Sequence, residues 1–373
     1  MPPGAADAVQ IGGYAARIAA SVRPYDPADR DALRAFQLQH FGRSSRQAQD
    51  SYFEWLFERN PHRAAGEAAL WVCRRDGIIV GQQARLPVVL KIGDDERHAS
   101  WGVDLMVHPD WRLKGVGPAL FAEYEASSDV LMGLGVSESV YGSCVRSGWS
   151  DVGRLPMIAR PLDADACTEA LGHKRWLARL VPTPLLKASA RLGAFLPRLA
   201  GCSLQRIDTF DERVESVWRR SRGDYPILVK RDFAALRWRF DESPDPERYE
   251  RYYLMQRGQL LGYAVIRFDL WRGHSVARLV DYLCPRRWQI PLLALVIDAM
   301  RGRNAVAVFV EQLCPHRRDA LMALGCFRVG AATRFIVKAS GPASALSAAL
   351  CQSVQWFVTP ADSDADMIPP TQS

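Results

Sequence analysis

The sequence lacks a long apolar run, a paired-cysteine motif and an export signal, and each absence excludes a class of protein. No stretch approaches the roughly 18 consecutive apolar residues that a membrane-spanning helix needs. The eight cysteines are scattered without a C-x-x-C pair, so we expect reduced thiols and no metal site. The N-terminal segment has no basic region followed by an apolar one, which predicts a cytoplasmic protein.

A strong charge of either sign is also missing. The 373 residues carry a formal net charge of +7, and 48% of them are hydrophobic. This composition is typical of a globular protein, and the length suits two domains of ordinary size. The modest basic excess favours anionic small molecules such as phosphorylated cofactors, but it is too dispersed to predict nucleic-acid binding.

The chain repeats itself. Four landmarks recur in the same order: a Trp-x-Phe pair before Asn-Pro or Ser-Pro, a turn between two glycines four residues apart, a Val-Asp pair in an apolar strand, and a glycine after a helix. Their separation drifts only from 183 residues (Trp55 to Trp238) to 177 residues (Asp104 to Asp281). This order and spacing indicate a tandem duplication.

The repeat sets the predicted domains, which we place at residues 14–163 and 203–339. Each half reads as a strand, helices and antiparallel strands, followed by strand, helix, strand, helix and strand. That order predicts an α/β fold built on a mixed α+β sheet, and it excludes a doubly wound parallel sheet.

The connecting segment and the tail differ in composition from the domains. A basic helical linker occupies residues 164–202; between 174 and 198 it carries six basic residues and no acidic one, and Pro182 and Pro184 divide it into two short helices. Two interpretations stay open: a helix pair at a membrane surface or an acidic partner, or a linker that packs its apolar face across both domains. Residues 340–373 read as a short helix and a disordered tail.

The stretch VHPDWRLKGVGPALF, from Val107 to Phe121, follows an apolar strand and precedes a helix. Gly115 and Gly117 permit unusual φ angles and let the backbone approach a ligand closely, and Pro118 suits the first helical turn. Successive N–H groups and the positive end of the helix dipole would then converge on one point, which favours a pyrophosphate. Neither G-x-G-x-x-G nor G-x-x-x-x-G-K-[ST] fits, so Rossmann and P-loop sites are excluded.

This stretch resembles the acetyl-CoA-binding motif of the GNAT N-acetyltransferase superfamily, Q/R-x-x-G-x-G/A after a strand that ends in V-x-P. The match is carried by Val107, Pro109, Arg112, Gly115 and Gly117. A hairpin precedes it, and SESVYGSCVRSGW follows, which resembles the family's second cofactor helix ending in Gly-Phe/Trp. The resemblance implies two tandem GNAT-like acyl-CoA N-acyltransferase domains, a doubled plan shared with FemAB-type transferases.

By this resemblance the co-substrate is acetyl-CoA. The strand before the motif would separate from its neighbour and pair with the pantetheine arm, while the loop amides and the first helical turn would hold the pyrophosphate. The implied cofactor-binding residues are Leu105, Met106, Val107, Arg112, Leu113, Lys114, Gly115, Val116, Gly117 and Ala119.

The second copy departs from the motif. After Val280-Asp281 comes YLCPRRWQIPLLALV, in which no Gly-x-Gly follows and Ile290-Pro291 stands in the turn. Without these glycines the backbone cannot hold a pyrophosphate in the same way. We therefore expect this half to keep the scaffold and to have lost cofactor binding.

Acyl transfer to an amine needs a base for the ammonium and an acid for the departing thiolate. In the family the base is often a carboxylate on the strand before the motif, which here is Asp104; a structural hydrogen bond shared with Asp281 explains it equally well. The family's tyrosine acid lies four residues before Gly-Phe/Trp, where this sequence has Cys144. The acid candidates are Cys144 and Tyr141, and Glu138 on the same helix is a further acid or base candidate.

Three functions follow. The first is an N-acetyltransferase that moves an acetyl group from acetyl-CoA to a primary amine of a small molecule, or of a sugar or amino-acid derivative, in a direct ternary complex. The second is a FemAB-like aminoacyl-tRNA-dependent transferase acting on a cell-envelope precursor, in which the basic linker would contact phosphates. The third is a non-catalytic CoA-binding module. The acceptor amine, the acyl chain and the oligomeric state are left open.

Overall fold

A computed structural model describes residues 16–171 and 182–368, and the chain divides into two compact units. Within the described residues, unit 1 contains 16–89, 98–133 and 337–346, and unit 2 contains 90–97, 134–171, 182–336 and 347–368. None of the helices in these ranges combines the length and the apolar character that crossing a membrane requires.

Unit 1 is built on neighbouring strands that follow the order of the sequence. They are β1 (Val22–Pro24), β2 (Leu70–Arg75), β3 (Ile78–Ile92), β4 (Asp95–Val107) and β5 (Val130–Leu134); residues 90–92 of β3, 95–97 of β4 and Leu134 of β5 belong to unit 2. β2 and β3 form an antiparallel hairpin through Asp76 and Gly77, which both adopt left-handed φ angles of 49° and 82°. Such a two-residue turn matches the twist of the flanking strands.

The helices that accompany these strands include α1 (Arg30–His40), α2 (Asp50–Phe53) and α3 (Val116–Glu125), and residues 16–19 are also helical. α2 continues into a π-helical turn, Glu54–Glu58. The core of the unit contains fully buried Trp55, Trp101 and Tyr124. Because aromatic side chains bury large apolar areas, these three side chains fix the helices against the strands.

Unit 2 carries the longer series of strands. They are β6 (Ser150–Pro161), β7 (Cys202–Ile207), β8 (Ile227–Val229), β9 (Tyr249–Gln256), β10 (Gln259–Trp271), β11 (His274–Leu283), β12 (Ala307–Glu311), β13 (Phe327–Ala339), of which the part up to Ile336 belongs to this unit, and β14 (Trp356–Phe357). β12 pairs in parallel with β11 and antiparallel with β6, so the sheet is mixed. The prediction of a mixed α/β fold is confirmed.

The helices of unit 2 lie between these strands in the sequence. They are α4 (Glu138–Arg146), α5 (Ala164–Leu171), α6 (Thr183–Gly193), α7 (Phe195–Leu199), α8 (Val214–Ser221), α9 (Phe233–Leu236), α10 (Gln289–Arg301), α11 (Pro315–Ala323) and α12 (Ser347–Leu350). α6 and α7 are the described part of the predicted linker, and the rest of it, 172–181, lies outside the described residues. Pro184 falls in the first turn of α6, where a missing N–H costs nothing.

The two halves of the sequence fold into matching series of elements. Trp55 and Trp238 both lie in a π-helical turn that follows a four-residue α-helix, and each half then continues with a hairpin, a third strand, a short 3-10 turn and a helix. However, β6, the last strand of the first half, pairs with β12 of the second. The tandem origin and the boundaries at 14–163 and 203–339 stay predictions.

The prediction of a disordered tail after Ser340 is wrong for the described residues. Up to residue 368 it is packed rather than disordered, because two of its aspartates pair with arginines inside the fold. The Asp362 carboxylate lies 2.8 Å from Arg231, and Asp366, which is fully buried, pairs with Arg239 and accepts from the Tyr249 hydroxyl at 2.7 Å. Removal of either arginine would leave a buried carboxylate without its charge partner, which is strongly destabilising.

Candidate functional site

Strand β4 is paired in parallel with β5 along only part of its length. Ala99, Ser100 and Trp101 face Val130, Leu131 and Met132, and β4 then continues to Val107. Where the pairing ends, the hydroxyl of Tyr124 donates to the carbonyls of Ser100 and Met132, both at 3.0 Å. Tyr124 therefore marks the point beyond which the backbone of β4 no longer follows β5.

The backbone of β4 changes direction at Asp104. This residue has a left-handed φ of 54°, which is uncommon for a residue with a side chain. Two buried glutamines support the change: Gln82 Nε2 donates to the Asp104 carbonyl at 3.1 Å, and Gln83 Nε2 donates to the Val103 carbonyl at 3.1 Å. Side-chain amides thus satisfy two backbone acceptors, and the segment Leu105–Val107 follows, half-buried.

The loop after β4 contains two further left-handed residues. A 3-10 turn, Pro109–Trp111, comes first; Leu113 then has a φ of 62°, and Gly115, which caps α3, has a φ of 85°. The side chain of Leu113 is fully exposed. Left-handed residues of this kind turn backbone N–H groups towards one side, a geometry that is typical of anion-binding concavities.

The N-terminus of α3 opens directly onto this loop. A Cβ atom added at Gly115 would have no heavy atom within 4 Å, and one added at Gly117 would meet only Val107, at 3.8 Å. The first N–H groups of a helix have no partner inside it, and they carry the positive end of the dipole. The loop therefore offers unpaired donors beside open space.

Close packing holds α3 in this position. A Cβ added at Gly81 on β3 would lie 2.8 Å from Leu120 and 2.9 Å from Val116. The side chain of Val116 is accordingly buried, and only its backbone can face a ligand. The glycine of the predicted hairpin thus has a second role, because it lets α3 approach the strand.

Two cations flank the loop. Arg112 Nε donates to the Val107 carbonyl at 3.3 Å, and Lys114 Nζ lies 5.3 Å from the centre of the Trp111 ring. Neither side chain forms an ion pair with a residue in the described ranges. Both charges are available to an anion held by the backbone.

The first predicted catalytic residue, Asp104, is engaged within unit 1. Its side chain is 4% exposed; the carboxylate accepts from Gln47 Nε2 at 2.6 Å and from the Tyr52 hydroxyl at 3.0 Å, and Arg46 lies 3.8 Å away. Asp281 on β11 has a comparable set of donors, described below. This arrangement favours the structural interpretation of Asp104, and its role as a base stays a prediction.

The remaining candidates lie on α4 in unit 2. The Tyr141 hydroxyl donates to Asp151 at 3.0 Å, and this hydrogen bond raises the pKa of Tyr141 above its usual value. The Arg334 guanidinium stacks 3.5 Å from the Tyr141 ring, and its Nη2 lies 3.2 Å from Glu138. Cys144 is buried, which suits packing better than proton transfer.

Several residues that shape the site carried no signal in the sequence. Gln82 and Gln83 are an adjacent polar pair in an otherwise apolar strand, Tyr124 lies between two glutamates, and Gln47 and Tyr52 precede the repeated tryptophan. Among the described residues, no group of three His, Cys, Asp or Glu side chains is placed to hold a metal ion.

Comparison with solved structures identifies the fold. A GCN5-related N-acetyltransferase from Anabaena variabilis superposes with a TM-score of 0.60 at 13% identity, over 89% of this chain and 74% of the other. A probable N-acyltransferase from Enterococcus faecalis gives a TM-score of 0.58 at 11% identity, over 85% and 72%. Saccharomyces cerevisiae N-myristoyltransferase with bound myristoyl-CoA gives 0.53 at 12% identity, over 85% and 82%.

These likenesses establish that the chain has the GNAT-like acyltransferase fold. No family model and no curated protein matches the sequence. The fold is therefore shown by structure, while the resemblance of the motif at Arg112–Gly117 rests on its own residues.

Proposed function

We propose that the chain is an acyl-CoA-dependent N-acyltransferase that moves an acetyl group from acetyl-CoA to a primary amine of a small molecule, or of a sugar or amino-acid derivative. The observation that carries this proposal is the loop at the end of β4, where left-handed Leu113 and Gly115 lead into the open N-terminus of α3. On this fold, such a loop is suited to the pyrophosphate of coenzyme A.

The residues present fit that group. The N–H groups of the first turn of α3 supply hydrogen-bond donors, and Arg112 and Lys114 supply charge. The empty space beside Gly115 is where phosphate oxygens would lie, since backbone can approach them only where no side chain intervenes. Leu105, Met106 and Val107 offer β4 backbone beyond the paired region for the amides of pantetheine.

Direct transfer between the two substrates agrees best with these observations. The amine nitrogen would attack the thioester carbonyl, a C–N bond would form and the C–S bond would break, and a proton from the amine would leave as the thiolate gains one. Burial of Cys144 disfavours an acyl-enzyme on that thiol. Because Asp104 is held by Gln47 and Tyr52, we assign it the role of shaping β4 and expect the proton to leave through another group.

One observation favours a second candidate, the non-catalytic CoA-binding module. Asp104 and Tyr141 both have hydrogen-bond partners, and Cys144 is buried. Thiol release from acyl-CoA in the presence of an amine panel distinguishes the two, because only the enzyme turns over. Acyl-CoA esters from acetyl to myristoyl in the same assay would define the chain length.

Calorimetric titration with acetyl-CoA tests the loop directly. Gly117 has an ordinary φ and room for a small side chain, so Gly117→Ala should keep binding within a few-fold and serves as the control. Gly117→Glu places a carboxylate at the pyrophosphate position and should weaken binding by at least about 100-fold. Equal affinities for the two variants would disprove the assignment.

A further inference from the structure

Helices α6 and α7 expose an unusual number of apolar side chains. Leu185, Leu192, Phe195, Leu196 and Leu199 are between 56% and 73% exposed. Single exposed apolar residues are normal on protein surfaces, but a contiguous group of this size marks an interaction site.

These side chains share one face of a nearly continuous helical rod. The N–H of Ala194 bonds to the carbonyl of Ala190, and that of Arg198 bonds to the carbonyl of Ala194, so the helical course continues from α6 into α7. At 3.6 residues per turn the five apolar side chains fall within an arc of roughly 100°. We call this arc the apolar face.

The apolar face points away from the protein core. Leu186, Ala190, Ala194 and Pro197 are the buried side chains of the same rod, and on the helical wheel they lie on the side opposite to the apolar face. A surface helix normally needs one apolar stripe, which faces the core. Packing among the described residues of unit 2 does not explain the second stripe of α6 and α7.

The charge beside the apolar face is of one sign. No acidic residue occurs between residues 182 and 201, and Lys187 and Arg191 lie along one flank of the rod. Neither forms an ion pair within the described ranges. Both line an open groove of about 440 Å³ against Leu192 and Phe195, which Arg301, paired with Asp298 at 2.9 Å, also borders.

We propose that α6 and α7 bind the surface of an anionic lipid bilayer. The apolar face would enter the boundary between headgroups and acyl chains, while Lys187 and Arg191 contact headgroup phosphates, as amphipathic helices do at membranes. A second copy of the chain fits less well, because a two-fold contact would bring this basic flank against itself. This inference is independent of the acyltransferase proposal.

Cosedimentation of the full chain with lipid vesicles tests the proposal. We expect binding to vesicles of equal parts phosphatidylcholine and phosphatidylglycerol, weak binding to phosphatidylcholine alone, and release at high salt. Replacing Leu192→Glu and Leu196→Glu together should abolish binding. Replacing Lys187→Gln and Arg191→Gln together should weaken it by roughly 30-fold.

Ile290→Glu provides the matched control. Ile290 is 48% exposed and lies in the first turn of α10, at the opposite end of that helix from Arg301, so this variant should bind vesicles as the parent does. Equal loss in Ile290→Glu and in the Leu192/Leu196 variant would overturn the proposal.

Two other results would also overturn it: no binding to anionic vesicles, or a dimer in sedimentation equilibrium that the Leu192/Leu196 variant abolishes. Acetyl-CoA titration of the same variants keeps the two proposals separate. If vesicle binding is lost and acetyl-CoA binding is retained, the variant is folded and the membrane assignment stands whatever the enzyme's acceptor is.

Discussion

The turn after β4 and the turn after β11 come at the same place in matching series of elements. They differ in backbone conformation, and the second turn is filled by other groups of the chain whereas the first is open. The first contains left-handed Leu113 and Gly115 and opens onto free space. In the second, no residue from 281 to 291 has a positive φ. Its Arg286 N–H is already bonded to the Asp224 carboxylate at 2.7 Å.

The second turn is also closed by its side chains. Gln289, buried in the first turn of α10, donates to the Tyr282 hydroxyl at 3.2 Å, and a Cβ added at Gly262 would lie 2.5 Å from that of Cys284. In the second turn, a carboxylate of the chain itself thus accepts from a backbone N–H. In the first turn, the N–H groups at the start of α3 face open space instead. One scaffold supports an open or a closed turn, and a few residues decide which.

The largest effect is expected from substitution of the two equivalent aspartates, Asp104 on β4 and Asp281 on β11. Asp281 accepts from Arg231 Nε at 3.1 Å, from the Tyr263 hydroxyl at 2.7 Å and from Thr359 at 2.9 Å, all buried. Asp281→Asn would leave Asp362 as the carboxylate partner of buried Arg231 and would weaken the three charge-assisted hydrogen bonds to this position, so it should destabilise the fold by about 3 kcal/mol. Asp104→Asn, whose nearest arginine is 3.8 Å away, should cost about 1 kcal/mol. Urea midpoints measure both, and equal shifts would contradict the distinction.

The glycine cap of α3 allows the next test. Gly115→Val should weaken acetyl-CoA binding by at least about 100-fold, or about 2.7 kcal/mol, because the side chain fills the open space and strains a left-handed residue. Gly77→Val is the matched control: it has a φ of 82° and equally open surroundings, so it adds a similar strain of about 1–2 kcal/mol without touching the loop. Titration calorimetry reports both, and comparable losses would attribute the effect to strain alone.

The cations of the first turn should contribute less. Arg112→Gln and Lys114→Gln should each weaken acetyl-CoA binding by about tenfold at low salt, since each removes one charge-assisted contact, and the difference should shrink as salt increases. Arg286→Gln and Arg287→Gln in the second turn should leave the affinity unchanged. A loss from the second pair would mean that the closed turn also takes part in binding.

The smallest effect is expected from Gln289. Gln289→Ala should lower the free energy of unfolding by about 1 kcal/mol, because it removes a buried hydrogen bond to Tyr282. It should leave one acetyl-CoA site per chain, since opening one contact does not create left-handed residues. Ile290→Ala next to it should change the stability by less than about 0.5 kcal/mol. A second binding site in Gln289→Ala would show that this side chain alone closes the turn.

Local chemistry explains what could be predicted from the sequence. Gly115 marked the turn because its left-handed φ of 85° needs glycine there, and the recurring Trp-x-Phe pairs marked equivalent positions, which lie in π-helical turns of both halves. The left-handed φ of Leu113 could not be predicted, because residues with side chains seldom adopt it and no motif announces it.

Other contacts could not be predicted, because the residues that form them lie far apart in the sequence. Asp362 and Asp366 looked like part of a solvated tail, but their arginine partners lie 131 and 127 residues earlier. Ion pairs of that separation leave no periodic pattern. The same holds for Gln82, whose amide supports the Asp104 carbonyl 22 residues away and thereby shapes the strand that leads to the loop.

The glycine at position 81 has a thermodynamic consequence. By letting α3 lie against β3, it fixes the helix end at the loop before any ligand arrives. The entropy of ordering the loop is then lost during folding and not during association. If the loop binds an anion as proposed, its affinity should depend little on induced rearrangement, because the receptor is preorganised.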